Sequence, residues 1–261
     1  MDRAADEPGE LPGAGPSLAL DPARALDVLA TGELEVVGRI VVSSNNALYC
    51  TIRQPCPGSE PDEVVPAIYK PIRGERPLFD FPDGSLAGRE VAAYALSEAS
   101  GWTIVPPTVM RDGPYGRGMV QLWLDPDDAI DRVALVVDRD PRLRAMALFD
   151  VVANNADRKV GHLLPMVGGH VFGVDHGICF HEEPHLRTVL WGWRGRRLTV
   201  PELDVVRRLG AELSGSLGRT LATLLTRDEV AATAGRIAAL ARSGRFPQPD
   251  PERPAIPWPP Y

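Results

Sequence analysis

Residues Phe149–Phe180 read FDVVANNADRKVGHLLPMVGGHVFGVDHGICF. A helical pattern runs into the polar loop N-N-A-D-R-K-V-G-H, and two short apolar runs, LLPMV and HVFGV, then flank Gly168-Gly169. Apolar runs around paired glycines predict a β-hairpin. Asp157 precedes that hairpin and Asp175 follows it, so both carboxylates can face one cavity. The flanks Val171-Phe172-Gly173-Val174 and Ile178-Cys179-Phe180 would hold Asp175 rigidly. A lone aspartate after an apolar strand is ordinarily a turn residue or a helix cap. Two of them at this spacing, the second followed two residues on by Gly177, point to chemistry instead. Phosphoryl transfer uses such a pair: one carboxylate orients a hydroxyl and takes its proton, and the other holds a metal ion on the nucleotide phosphates.

Upstream of this stretch, PRLRAMALFDVVANN places Leu143, Met146, Phe149 and Val152 on one stripe, the pattern of an amphipathic helix. Downstream, PELDVVRRLGAEL, LGRTLATLLT and RDEVAATAGRIAALARSG predict further helices. The first part of the chain reads differently. After a short helix from Asp21 to Gly32, ELEVVGRIVVSSNNALYCTIR predicts two strands around the turn Ser43-Ser44-Asn45-Asn46. EVVPAIYKPI predicts a third strand, which carries Lys70. SLAGREVAAYALSEASG has helical spacing through Val91, Tyr94, Ala95 and Glu98, and Gly101 ends it. TIVPPTVMR and GRGMVQLWL then predict a strand pair. The expected fold is therefore α+β and two-lobed, a mostly antiparallel sheet with one helix followed by a mainly helical lobe. The divisions expected are a flexible tail over 1–18, a first lobe over 19–125, a second over 126–245 and a proline-rich tail over 246–261.

Composition narrows the function. A chain of 261 residues with 44% apolar and 24% charged residues is long enough for two small lobes and balanced for globular folding. No apolar run approaches the roughly 18 residues of a membrane span, and no stable membrane insertion is expected. The N-terminus is acidic and rich in proline and glycine, unlike a secretory signal. Cys50, Cys56 and Cys179 leave one thiol unpaired under any disulfide scheme, which fits a reducing cytoplasm. The net charge of -7 argues against nucleic acid as a partner. Lys70 and Lys159 are the only lysines in a chain rich in arginine, and both fall inside the patterns just described.

The 149–180 segment resembles the catalytic and metal-binding loops of the phosphatidylinositol 3-/4-kinase-like superfamily, in which a D-R-x-x-x-N loop precedes a D-x-G motif by a β-hairpin. Persistence-factor (HipA-type) kinases share a similar loop, and the resemblance suits a family known mainly from actinobacteria. It implies a kinase-like fold, ATP as phosphate donor and a divalent metal ion. Asp157 then becomes the catalytic base or orienter and Asp175 a metal ligand. Lys70 in A-I-Y-K-P resembles the strand lysine that binds nucleotide phosphates, and Glu90 in G-R-E-V-A-A-Y resembles the helix glutamate that pairs with it. Val105-Pro106-Pro107-Thr108 resembles the strand after that helix in type II phosphatidylinositol 4-kinases, and Gln121, Leu122, Trp123 and Leu124 fall where the resemblance puts the adenine-binding hinge.

The departures from the family pattern are specific. His162 replaces the loop asparagine that co-binds metal. It either ligates the cation, which would favour Mn²⁺ over Mg²⁺, or caps the loop. Lys159 stands where the family often has histidine and either meets the γ-phosphate or is a solvated charge. The phosphate-covering loop, with Ser43, Ser44 and Asn45, has no glycine, so it is either a phosphate cradle or a plain hairpin turn. His176 follows Asp175 where protein kinases have phenylalanine. Trp191-Gly192-Trp193-Arg194-Gly195-Arg196-Arg197 lies where such kinases receive the acceptor and reads either as an anion-binding surface or as two anchoring tryptophans. The expected activity is transfer of phosphate from ATP to an unidentified hydroxyl acceptor: a lipid, a small molecule or a protein. The alternatives are a nucleotide-binding pseudokinase or scaffold without turnover, and a module that binds a protein partner through its proline-rich tail.

Overall fold

In the computed structural model, which describes residues 21–40, 46–55 and 62–261, the Asp21 carboxylate accepts a hydrogen bond from Arg24 N and caps α1 (Pro22–Thr31). The tail expected over 1–18, Cys56 and the loop residues Ser43, Ser44 and Asn45 lie outside the described residues. Five antiparallel strands follow: β1 (Glu33–Arg39), β2 (Leu48–Gln54), β3 (Glu63–Pro71), β4 (Thr108–Gly113) and β5 (Gly116–Leu122). Their order across the sheet is β1-β2-β3-β5-β4. Alternation puts Cys50, Ala67 and Leu122 on one face, in a core closed by Val28 and Leu29 of α1. Ile68, Lys70, Met119 and Gln121 share the other face.

The strand expected from Thr103 begins at Thr108. Pro106 and Pro107 have no N–H to give a ladder, and the N–H groups of Ile104 and Val105 donate to Ser97 Oγ at 2.8 and 3.1 Å. β3 and β5 meet closely at Lys70. A Cβ on Gly118 would lie 2.4 Å from the Lys70 carbonyl and 2.6 Å from Pro71 Cα. Gly118→Ala is accordingly expected to cost about 1–3 kcal/mol, as overpacking does, read as a lowered urea midpoint. An unchanged midpoint would mean the two strands can part without loss.

α2 (Leu86–Ser100) lies between the sheet and the helices, and both sides of it are covered. Its buried face is therefore much wider than the Val91/Tyr94/Ala95/Glu98 stripe: Leu86 to Glu90, Ala92 to Tyr94, Leu96, Ser97 and Ser100 are all buried, while Glu98 is exposed. The Glu75 carboxylate caps the helix from a distance, accepting from Leu86 N and Ala87 N at 3.1 and 2.7 Å. Arg89, itself buried, forms an ion pair with Glu229 and donates to the Cys179 carbonyl at 2.7 Å.

The second lobe contains α3 (Arg132–Val137), α4 (Arg144–Ala153), the hairpin β6 (Leu163–Pro165) and β7 (Val171–Gly173), then α5 (Val200–Glu212), α6 (Ser216–Ala222) and α7 (Arg227–Ser243). The predicted stripe Leu143, Met146, Phe149 and Val152 is fully buried, although its first residue sits in a 3-10 turn ahead of α4. Two apolar cores hold the protein, and each draws on both sides of residue 125: α2 joins the helical core, and Met166 and Phe172 of the hairpin join the sheet core. The result is a two-lobed α+β fold, an antiparallel sheet with α2 followed by a mainly helical lobe. Its proline-rich tail runs without regular structure over the second lobe, where Ala255 O accepts from Thr188 N and Pro260 O from Val160 N.

Candidate functional site

The loop after α4 is built on a buried polar hub. Asp150 sits inside the apolar run MALFDVVA and is fully buried, as is Arg158. Arg158 donates to both oxygens of Asp150 at 3.0–3.2 Å, to the Val174 carbonyl at 3.1 Å and to His176 Nε2 at 2.6 Å. Asp150 also accepts from Thr188 Oγ1 and from Asn155 Nδ2, both at 3.0 Å. Asn155 Oδ1 in turn accepts from Asp157 N at 3.0 Å, which fixes the backbone of the proposed base. Asn154 ends α4 in the left-handed region (φ 51°), and its amide gathers the 181–185 segment through His181 O, Glu183 O and His185 N. Asp157 and Lys159 are left partly exposed, paired with each other at 2.9 Å.

The hairpin delivers Asp175 to the other side of the same loop. Its φ of 62° is a left-handed conformation that few non-glycine residues adopt, and it marks a constrained position. Lys70 Nζ donates to Asp175 Oδ1 at 2.8 Å and to Glu90 Oε1 at 2.6 Å. The second Glu90 oxygen accepts from His176 N at 2.8 Å. One lysine and one glutamate thus bind β3, α2 and the Asp175 turn together. The Lys70 ammonium holds the Asp175 carboxyl well below the usual carboxylate range, against the effect of burial. Burial would lower the Lys70 pKa, but the Asp175 and Glu90 charges override it and push it up. Burial raises Glu90, with Lys70 opposing.

His162 caps the short turn after Asp157, its Nδ1 facing Lys159 N at 3.5 Å, and its ring lies beside Asp175. Its Nε2 is 3.5 Å from Asp175 Oδ2, and the charges of Asp175 and Asp157 both act on it, while burial lowers its pKa and keeps the ring neutral. A neutral imidazole beside an ionised carboxylate is a usable pair of metal ligands. Among the described residues no three His, Cys, Asp or Glu groups form a metal cage. Two ligands still suit a hard cation that takes the rest of its shell from nucleotide phosphates and water.

The remaining expected site residues are placed less directly. Gln121 is buried on the Lys70 face of the sheet, and its amide donates to Thr108 Oγ1 at 2.8 Å. Trp123 packs edge-on against Tyr49 with centroids 5.1 Å apart, and its backbone N–H is taken by Pro66 O. Leu124 is in the sheet core. In the Trp191–Arg197 segment the tryptophans are anchors: Trp191 Nε1 donates to Ala255 O at 2.7 Å, and Trp193 is buried. Sequence reasoning missed Asp150, Asn155 and Arg158 as the supporting hub. One signal was present, a charged residue on the buried side of an otherwise apolar helix. His176 has a comparable role: burial and then Arg158 drive its pKa down, its Nε2 faces the Arg158 guanidinium, and its Nδ1 has no partner among the described residues.

No protein-family profile matches the chain. Protein Rv2133c of Mycobacterium tuberculosis is 42% identical over 269 aligned residues, covering 90% of this chain and 94% of that one. Phosphatidylinositol 4-kinase gamma 4 of Oryza sativa subsp. japonica is 28% identical over 127 residues, 41% of this chain but 22% of the plant protein. Among solved structures, the Helicobacter pylori proinflammatory kinase CtkA covers 83% of this chain and 94% of its own, with a TM-score of 0.48 and 10% identity.

Proposed function

We propose that this chain, which belongs to the same family as protein Rv2133c of Mycobacterium tuberculosis, is an ATP-dependent phosphotransferase. The observation that carries the reading is Lys70, held at once by Glu90 and Asp175 at 2.6 and 2.8 Å, beside a loop that fixes Asp157. The partial similarity to a plant phosphatidylinositol 4-kinase supports it.

In this reading the acceptor hydroxyl approaches Asp157, whose carboxylate leaves Lys159 and takes the hydroxyl proton. The acceptor oxygen forms its bond to the γ-phosphorus, and the bond to the β,γ-bridging oxygen breaks to release ADP. Lys70, positioned by Glu90, neutralises phosphate charge. Asp175 and His162 are the residues that would hold a divalent cation, which offsets charge on the transferring group. Lys159, paired with Asp157 at 2.9 Å, is the second cation this reading offers to the γ-phosphate. The acceptor is a hydroxyl of a lipid, a small molecule or a protein. Cytoplasmic residence belongs to the proposal and is supported by the buried free thiols of Cys50 and Cys179. No helix among the described residues is long and apolar enough to cross a membrane.

The reading is tested by thermal shift with ATP and Mg²⁺ or Mn²⁺. At about 100-fold excess over Kd, wild type should gain about 2.7 kcal/mol of stability, more readily with Mn²⁺, and Asp175→Ala should gain far less. Equal shifts for wild type and variant would remove Asp175 from the site, and no shift with either metal would end the nucleotide reading. A pseudokinase is the second reading, favoured by His162 in place of the metal-binding loop asparagine and by the glycine-less Ser43-Ser44-Asn45 loop. It predicts the same shift with no ADP release.

A further inference from the structure

Away from the Lys70–Asp175 cleft, α4, α7, the 182–191 segment and the start of the C-terminal tail line a solvent-open cavity of about 800 Å³, within the range of sites that hold one small ligand. Much of its wall is apolar, with Val151, Leu186, Trp191, Leu240 and Phe246 contributing. Five arginines also line it, Arg187, Arg236, Arg242, Arg245 and Arg253, against the carboxylates of Glu182 and Asp250. Positive charge is therefore in excess around an apolar space.

Three features of the lining bear on what it could hold. The partly buried Arg236 guanidinium donates to Val152 O at 2.9 Å, His181 O at 3.2 Å and Thr233 Oγ1 at 2.7 Å, all neutral acceptors. Burial pulls its pKa down to about 10. The Glu229 charge acts on it without an ion-pair contact, so an anion in the cavity would meet a guanidinium not yet paired with a carboxylate. The side chains of Arg187, half-buried, and Arg242, exposed to solvent, have no hydrogen-bond or ion-pair partner among the described residues, so both are available to a ligand. Gly235, finally, lies within α7, where glycine is less stable than alanine. A Cβ there would meet no atom within 4 Å, so no neighbour demands the glycine. Gly235 lines the cavity, and what its missing side chain leaves is room.

We propose that this cavity binds an amphipathic anion, a single aliphatic chain bearing a phosphate or carboxylate head. The head lies among the arginines, and the chain runs along Trp191, Leu240 and Phe246. Charge complementarity selects an anion, and the apolar wall selects the chain. The site stands apart from the proposed phosphate-transfer site and does not depend on it.

The test titrates decyl phosphate, decanoate, decanol and inorganic phosphate into the full chain below micelle-forming concentrations, followed by calorimetry and tryptophan fluorescence. At least one of the two decyl anions should bind, with decanol and inorganic phosphate weaker by about tenfold or more. The tighter of the two heads identifies which source the site fits. Gly235→Leu, which fills the cavity from a rigid wall, should abolish binding, and Arg187→Gln with Arg242→Gln should weaken it by about tenfold. If Gly235→Leu fails to fold, Ala239→Phe on the exposed face of α7 fills the same space. No binding of either anion would overturn the proposal, as would equal binding of decanol or of inorganic phosphate. Binding that survives the filling variant would overturn it too, by placing the ligand elsewhere.

Discussion

Asp157→Asn is expected to lower phosphate transfer by about 10²–10⁴-fold, the usual contribution of a positioned general base. With the acceptor unidentified, the readout is ADP release with water as acceptor. Asparagine keeps the size and shape of the side chain, and the Asp157 backbone stays fixed because Asn155 Oδ1 accepts from its N–H at 3.0 Å. What is lost is the capacity to take a proton. The Asp157–Lys159 ion pair is lost as well, but both side chains are about a fifth exposed, and such pairs contribute at most about 1 kcal/mol. The variant should therefore melt close to wild type and keep its ATP-induced shift. A rate within a few-fold of wild type would deny Asp157 the role of base, and loss of the ATP shift would make it a binding residue instead.

Arg158→Met is expected to destabilise the protein by about 3–5 kcal/mol, the cost of removing one partner from a buried ion pair. Methionine fills similar space but donates nothing. Asp150 is then left fully buried with only Asn155 and Thr188 as donors, and the Val174 carbonyl loses the Arg158 bond. Against a typical stability of about 5–15 kcal/mol the loss is large. It should appear as a lowered urea midpoint with an unchanged slope. Asp150→Asn in the same background should cost less than it does alone, with a coupling of about 0.5–3 kcal/mol. Full additivity would mean that the two residues do not act as one unit. Because the hub also contacts His176 and Val174, on either side of Asp175, the folded fraction of the variant should bind ATP more weakly.

Much of this site could be read before the structure. The Leu143/Met146/Phe149/Val152 stripe was legible because helical periodicity is a local property, and the hairpin because paired glycines separate two apolar runs. The Lys70–Glu90 contact followed from resemblance, and the structure gives it as a 2.6 Å ion pair. What could not be read depends on contacts across the chain. Lys70 meets Asp175 105 residues away, and Arg89 meets Glu229 140 residues away; no local pattern encodes either distance. The burial of α2 on nearly all sides follows from its place between two layers, which spacing within the helix does not reveal. The late start of β4 was legible in principle, since two adjacent prolines cannot supply ladder donors. Apolar content around them suggested a longer strand, and it was the hydroxyl of Ser97 that took the free N–H groups.

The buried Arg89–Glu229 pair restricts how such an enzyme could be switched. Arg89 is the neighbour of Glu90, and its guanidinium fastens α2 to α7 and to the Cys179 carbonyl. Swinging that helix outward would strip Glu90 from Lys70 only by first breaking a desolvated ion pair, at about 3–5 kcal/mol. The glutamate is thus moored to the helical half of the molecule, and Lys70 ties the sheet to that same mooring. A displacement of α2 would therefore have to release the Arg89 and Lys70 contacts together.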